Sequence, residues 1–149
     1  MSGDLRDLYQ EVIFDHYRRP RNKGALTDAS HRAEGHNPLC GDRVTIYLRV
    51  EDGIVKDVSF EGAGCAIATA SASLMTDTLK GRRIEDVEGL FRGFHAMVTD
   101  APSSAAPDLG KLEVLAGVRE FPARVKCATL AWHTLNAALK RRGEPVTTE

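Results

Sequence analysis

An excess of charge of either sign is missing from this sequence. Twenty Lys and Arg stand against twenty-one Asp and Glu, a net charge of −1 over 149 residues, which argues against a chain whose main partner is a nucleic-acid backbone. Two local basic clusters, Arg18, Arg19 and Arg21, and Lys140, Arg141 and Arg142, fall where helices are expected to end. Cations favour the helix dipole there, and partner docking is the other reading. A long hydrophobic run is missing too. The start of the chain, Met1 to Leu8, is charged, and no stretch approaches a membrane span, so the expectation is a cytoplasmic protein with no membrane association. Cysteine is scarce. The three thiols are odd in number, widely spaced and form no CxxC pair, which argues against a disulfide framework. A Ser/His/Asp elbow, a Gly-rich phosphate loop, an HExxH motif and internal repeats are all absent. What remains, 42% hydrophobic and 28% charged residues, reads as one ordinary globular domain over 1–149.

The hydrophobic pattern supplies the elements. Leu5, Leu8, Val12, Ile13 and His16 share a helical face between Asp4 and Arg18, with Asp4 as N-cap and Pro20 as a stop. His16 falls on the apolar side, where a hydrogen-bonded core histidine is expected. Residues 20–39 are rich in Pro, Gly, Asn, Asp and Ser and read mostly as loop, with weak support for a strand between Gly35 and Leu39. Val44, Ile46, Leu48 and Val50 alternate with Thr45, Tyr47 and Arg49, a half-buried strand. Asp52-Gly53 marks a hairpin turn, and Ile54–Phe60 returns with Ile54, Val58 and Phe60 on one face. Helices are expected over Ala66–Lys80, closed by Gly81, over Arg83–Val98, and over Arg124–Arg142 behind Pro122. A short one is expected over Leu112–Arg119, and Ala101–Gly110 reads as a flexible loop. Strands followed by helices imply an α+β fold, a small antiparallel sheet covered by helices.

Chemistry gathers around the cysteines. Cys40 and Asp42 flank Gly41 in a turn, and in an extended chain their side chains point to the same side. A thiolate and a carboxylate then reach one ion. The inert alternative is a packed thiol beside a turn-capping acid. Cys65 follows Gly62-Ala63-Gly64 and Cys127 follows Pro122, both at expected helix starts, where free N–H groups favour thiolate over thiol. Core packing is the alternative for both. If the three meet, three thiolates and a carboxylate complete a tetrahedral site suited to zinc, copper(I) or iron–sulfur chemistry. The oxygen ligand is the more readily released corner. His36, close to Cys40, is a candidate supporting group or substitute ligand. His31 lies in the same loop, and His95 and His133 are expected to be structural residues on helices.

The segments Cys40-Gly41-Asp42, Phe60-Glu61-Gly62-Ala63-Gly64-Cys65-Ala66-Ile67-Ala68-Thr69-Ala70-Ser71-Ala72-Ser73-Leu74-Met75 and Arg124-Val125-Lys126-Cys127-Ala128-Thr129-Leu130 together resemble the U-type iron–sulfur assembly family, IscU and SufU. The resemblance implies an α+β sandwich with Cys40, Asp42, Cys65 and Cys127 as one metal site. It implies a PLP-dependent cysteine desulfurase and downstream iron–sulfur assembly or client proteins as partners. Lys126 stands where IscU usually has His. Phe121-Pro122-Ala123-Arg124-Val125-Lys126 departs from the IscU chaperone motif, and residues around 92–111 look like a SufU insertion. SufU resemblance implies a Zn2+-bound sulfur acceptor. Cys40, in the turn least encumbered by helix packing, is the expected reacting thiol. Arg124 and Lys126 either balance the charge of three thiolates and Asp42 or form a solvated helix start. The alternatives are a scaffold for iron and a transient [2Fe–2S] cluster, and a structural zinc module that binds a protein partner.

Overall fold

The computed structural model describes residues 2–38, 41–99, 109–140 and 146–147. Helix α1 (Ser2–Arg18) precedes three strands, β1 (His31–Asn37), β2 (Asp42–Glu51) and β3 (Ile54–Ala63). Helices α2 (Ala66–Leu79) and α3 (Ile84–Thr99), a 3₁₀ helix (Gly110–Glu120), α4 (Pro122–Leu139) and a two-residue strand β4 (Val146–Thr147) follow. The sheet order is β3-β2-β1-β4. Strands β1, β2 and β3 are antiparallel neighbours, and β4 adds a short parallel pairing at Gly35 and His36. The expected α+β architecture is therefore correct, with a mixed edge in place of a purely antiparallel sheet. No described helix is long and apolar enough to cross a membrane.

The hairpin formed as its sequence indicates. Asp52 and Gly53 both take positive φ, 53° and 72°, the geometry of a tight two-residue turn. Val44, Ile46 and Leu48 are buried. On the return strand the expected face is corrected. Arg49 pairs with Asp57 but Val50 pairs with Val55, so the register slips by one residue. This bulge turns Val55 inward beside Val58 and Phe60 and leaves Ile54 half-buried. A bulge moves every later side chain to the other face, which simple alternation does not anticipate.

Strand β1 is the larger correction, because it runs over His31–Asn37 and so begins ahead of the weakly supported strand between Gly35 and Leu39, in residues read mostly as loop. Its inward positions are Ala33, Gly35 and Asn37, small or polar, so no apolar alternation announces it. The small residues are there because α4 lies directly on the strand. A Cβ on Gly35 would fall 2.1 Å from Thr134 Oγ1. Helix α1 begins at Ser2, so Asp4 lies inside the helix and not at its N-cap. The 3₁₀ helix covers the short helix expected over Leu112–Arg119. Of the loop expected over Ala101–Gly110, residues 101–108 lie outside the described residues.

The core lies between sheet and helices. Helix α4 packs on β1 and β2, α2 on β3, and α1 on α2. Trp132 is fully buried and stacks on Phe94 with centroids 4.8 Å apart. A polar seam joins α1 to α2. His16 is buried with Nδ1 2.7 Å from Ser73 Oγ, and the same oxygen accepts the Arg21 N–H at 2.8 Å. The expected hydrogen-bonded core histidine is present. Burial, followed by the nearby Arg21 cation, holds its pKa below the usual histidine value.

Candidate metal centre

Three elements deliver donor atoms to one point. Asp42 opens β2, Cys65 caps α2, and Cys127 lies in the second turn of α4. Their ligand atoms all lie within 4.8 Å of one another. Asp42 and Cys127 are buried and Cys65 is half-buried. The fourth expected ligand, Cys40, lies outside the described residues.

Local sequence explains each position. The β3–α2 junction needs its glycines. Gly62 has φ +145°, and a Cβ there would sit 2.1 Å from the Arg43 carbonyl oxygen. Gly64 has room for hydrogen only, because a Cβ would come within 2.8 Å of Asp42 Oδ1. That close approach lets the Cys65 N–H donate to Asp42 Oδ1 at 2.9 Å. Cys65 then acts as N-cap of α2, its Sγ accepting the Ala68 N–H at 3.4 Å, a role usually taken by Ser, Thr, Asp or Asn. The Cys65 and Asp42 side chains approach to 4.0 Å between Sγ and Oδ2.

Cys127 differs from expectation. Pro122 takes the first turn of α4, so Cys127 is past the free N–H groups of the helix start. It is fully buried. Its sulfur lies 3.6 Å from the Ala123 carbonyl oxygen one turn earlier and 3.8 Å from Asn37 Nδ2. Asn37 is the residue that sequence reading missed. It is fully buried, ends β1, and pairs with Asp42 across the hairpin. No apolar alternation signals it in the sequence; once β1 forms, its two-residue period puts Asn37 inward and His36 on the opposite, exposed face. Asn37, not His36, contacts the described part of the site. Arg124 is exposed and Lys126 half-buried on the first turns of α4.

The donor set suits a thiophilic ion. In a tetrahedral thiolate site each sulfur lies about 2.3 Å from the metal and ligand atoms are roughly 3.5–4 Å apart. The observed cluster, with its ligand atoms within 4.8 Å of one another, is slightly wider. The buried Asp42 carboxylate, met by one N–H and two sulfurs, is chemically suited to such an ion. His95 and His133 lie on α3 and α4 as expected, away from this cluster, and burial with neighbouring His95 holds the His133 pKa below its usual value.

Comparisons with known proteins identify the family. The family model described as the NifU-like N terminal domain matches residues 8–143. The zinc-dependent sulfurtransferase SufU of Bacillus subtilis is 44% identical over 140 residues, covering 94% of this chain and 95% of that protein. The iron–sulfur cluster assembly scaffold protein IscU of Thermotoga maritima is 43% identical over 141 residues, covering 93% and 96%. The crystal structure of a nitrogen-fixing NifU-like protein (N-terminal) from Brucella abortus shares the fold. Its TM-score is 0.82 at 24% identity, over 91% of this chain and 94% of that one. With a model match over nearly its whole length and relatives above 40% identity, the chain belongs to the NifU-like N-terminal domain family, the U-type group that contains SufU and IscU.

Proposed function

We propose that this chain works in iron–sulfur cluster biogenesis as a zinc-bound sulfur acceptor, taking persulfide sulfur from a PLP-dependent cysteine desulfurase. The observation that carries the reading is the convergence of Asp42, Cys65 and Cys127 within 4.8 Å, from three separate elements. Cys40 is two residues from Asp42 in the sequence, and the family resemblance makes it the fourth ligand. Cys40, Asp42, Cys65 and Cys127 would hold the zinc. When bound, the ion supplies positive charge that keeps the thiols deprotonated and shields them from oxidation.

Cys40 is the reacting thiol. Cys65 is tied down as the cap of α2 and Cys127 is sealed inside α4, whereas Cys40 belongs to the connection between two strands. Its thiolate attacks the outer sulfur of the desulfurase persulfide. A new S–S bond forms on Cys40, the S–S bond on the desulfurase breaks, and the electron pair leaves on the desulfurase thiolate. The exchange needs no outside oxidant or reductant. Three thiolates and a carboxylate exceed the charge of one zinc ion, and Arg124 and Lys126 offset the surplus from the start of α4. The sulfur then passes to downstream iron–sulfur assembly or client proteins. Reactive thiols of this kind belong in the reducing cytoplasm. Residues around 92–111 are the SufU-type insertion of a single domain.

Mixing the protein with its cognate desulfurase and L-cysteine, and following alanine, tests the reading. Strong stimulation is expected, lost on Cys40→Ala. The second reading is a scaffold for a [2Fe–2S] cluster, favoured by the oxygen ligand Asp42 and by the resemblance to the Thermotoga scaffold protein. No stimulation, together with a stable cluster formed anaerobically from iron and sulfide, selects it.

A further inference from the structure

Helices α3 and α4 meet along an open groove lined by Phe91, Arg92, His95, Ala96, Thr99 and His133. Two imidazoles face each other there. The ring centroids of His95 and His133 are 5.8 Å apart with planes at 77°. Phe91 lies edge-on to both, 6.2 Å from His95 and 5.3 Å from His133. Among the described residues, no side-chain hydrogen bond reaches either imidazole. The Thr99 hydroxyl, which also lines the groove, is committed to the His95 carbonyl at 2.6 Å.

We propose that His95 and His133 form a second, exchangeable site for an imidazole-preferring divalent transition-metal ion, bridging α3 and α4. A metal–imidazole bond is about 2.0–2.1 Å long, so two rings sharing one tetrahedral ion have centroids roughly 5.2 Å apart. The observed spacing of 5.8 Å is wider by about 0.6 Å, a gap that ring rotation has to close. Imidazole suits zinc, nickel and iron, not calcium or magnesium. The ring torsion of histidine has broad wells, so each ring can turn a nitrogen toward a shared ion without moving its helix. With two protein ligands the remaining positions fall to water, and the Arg92 cation on the groove opposes a bound ion. Both features make the site weaker than the thiolate cluster and quick to exchange. His133 follows Cys127 by six residues on α4, about 9 Å along the helix axis, so the two sites are neighbours and not one centre.

The test uses full-length protein already carrying its tight zinc, with nickel as the probe. Ring resonances of the assigned histidines are followed by NMR, and bound nickel is measured by equilibrium dialysis. Those of His95 and His133 are expected to broaden together at micromolar nickel, ahead of those of His16, His31 and His36. His95→Ala, on an exposed position, is expected to weaken nickel binding at least about tenfold and to spare the His133 ring, while the tightly held zinc stays in place. His95→Gln is the conservative second variant and gives the same result. Broadening that begins at His31 or His36, broadening of His133 unchanged in His95→Ala, or no nickel bound beyond the zinc site each overturns the proposal.

Discussion

Replacing Gly64 by Ala separates the site from the fold. The added Cβ would stand 2.8 Å from Asp42 Oδ1, 3.2 Å from its Cγ and 3.3 Å from Ala68 Cβ. Restoring ordinary contact near 3.4 Å requires the carboxylate to retreat by about 0.6 Å. The Cys65 N–H···Oδ1 bond, 2.9 Å long, then stretches beyond hydrogen-bonding range. Loss of one such bond, made to a carboxylate, removes about 1.5–3 kcal/mol of stability. For a chain of this size that lowers Tm by several degrees. The metal is affected as well, because a displaced ligand and a lost orienting bond typically weaken metal affinity about 10–100-fold. Gly89→Ala is the control. Gly89 lies inside α3 with nothing within 4 Å of an added Cβ, so it gains about 0.5–1 kcal/mol from helix propensity and keeps its zinc. Competition with a chromogenic chelator measures the affinities, and thermal melts of metal-free protein measure the stabilities. A Gly64→Ala protein that folds normally and holds zinc as tightly as the parent would refute the view that this glycine exists to let Asp42 approach Cys65.

Other outcomes follow from the same structure. The depressed pKa of His16 means the folded state prefers the neutral ring; its stability contribution is present above the unfolded value near 6.5 and is lost as pH falls through the folded value, so urea midpoints should drop on acidification, and less so in His16→Gln. Gly62→Ala places a Cβ against the Arg43 backbone at positive φ and should cost at least about 1–3 kcal/mol, read from denaturant melts; a neutral result contradicts the strand geometry. Trp132→Ala, in the middle of the core, should lose about 3–5 kcal/mol by the same measurement. Chelating the zinc should lower Tm while leaving far-UV circular dichroism largely intact, because a buried core of sheet and helices remains; an unchanged Tm after verified metal removal contradicts a metal tied into three elements.

The sequence by itself determined the parts whose physics is local. Val44, Ile46 and Leu48 alternate, Asp52-Gly53 turns, Gly81 ends α2 with φ +83°, and Pro122 starts α4, each because backbone geometry or side-chain period is written in adjacent residues. The meeting of Asp42, Cys65 and Cys127 was also legible, through their motifs. Only tertiary structure decided the rest. Strand β1 exists because α4 and β2 cover it, although Ala33, Gly35 and Asn37 carry no apolar alternation. Val55 replaces Ile54 in the core because of a bulge that only pairing defines. Cys127 sits a turn deeper in α4 than the dipole reasoning required, and Asn37 reaches its sulfur from ninety residues away. His95 and His133 meet across two helices for the same reason. Contacts between distant segments depend on how elements pack, and packing is a property of the whole chain rather than of any window within it.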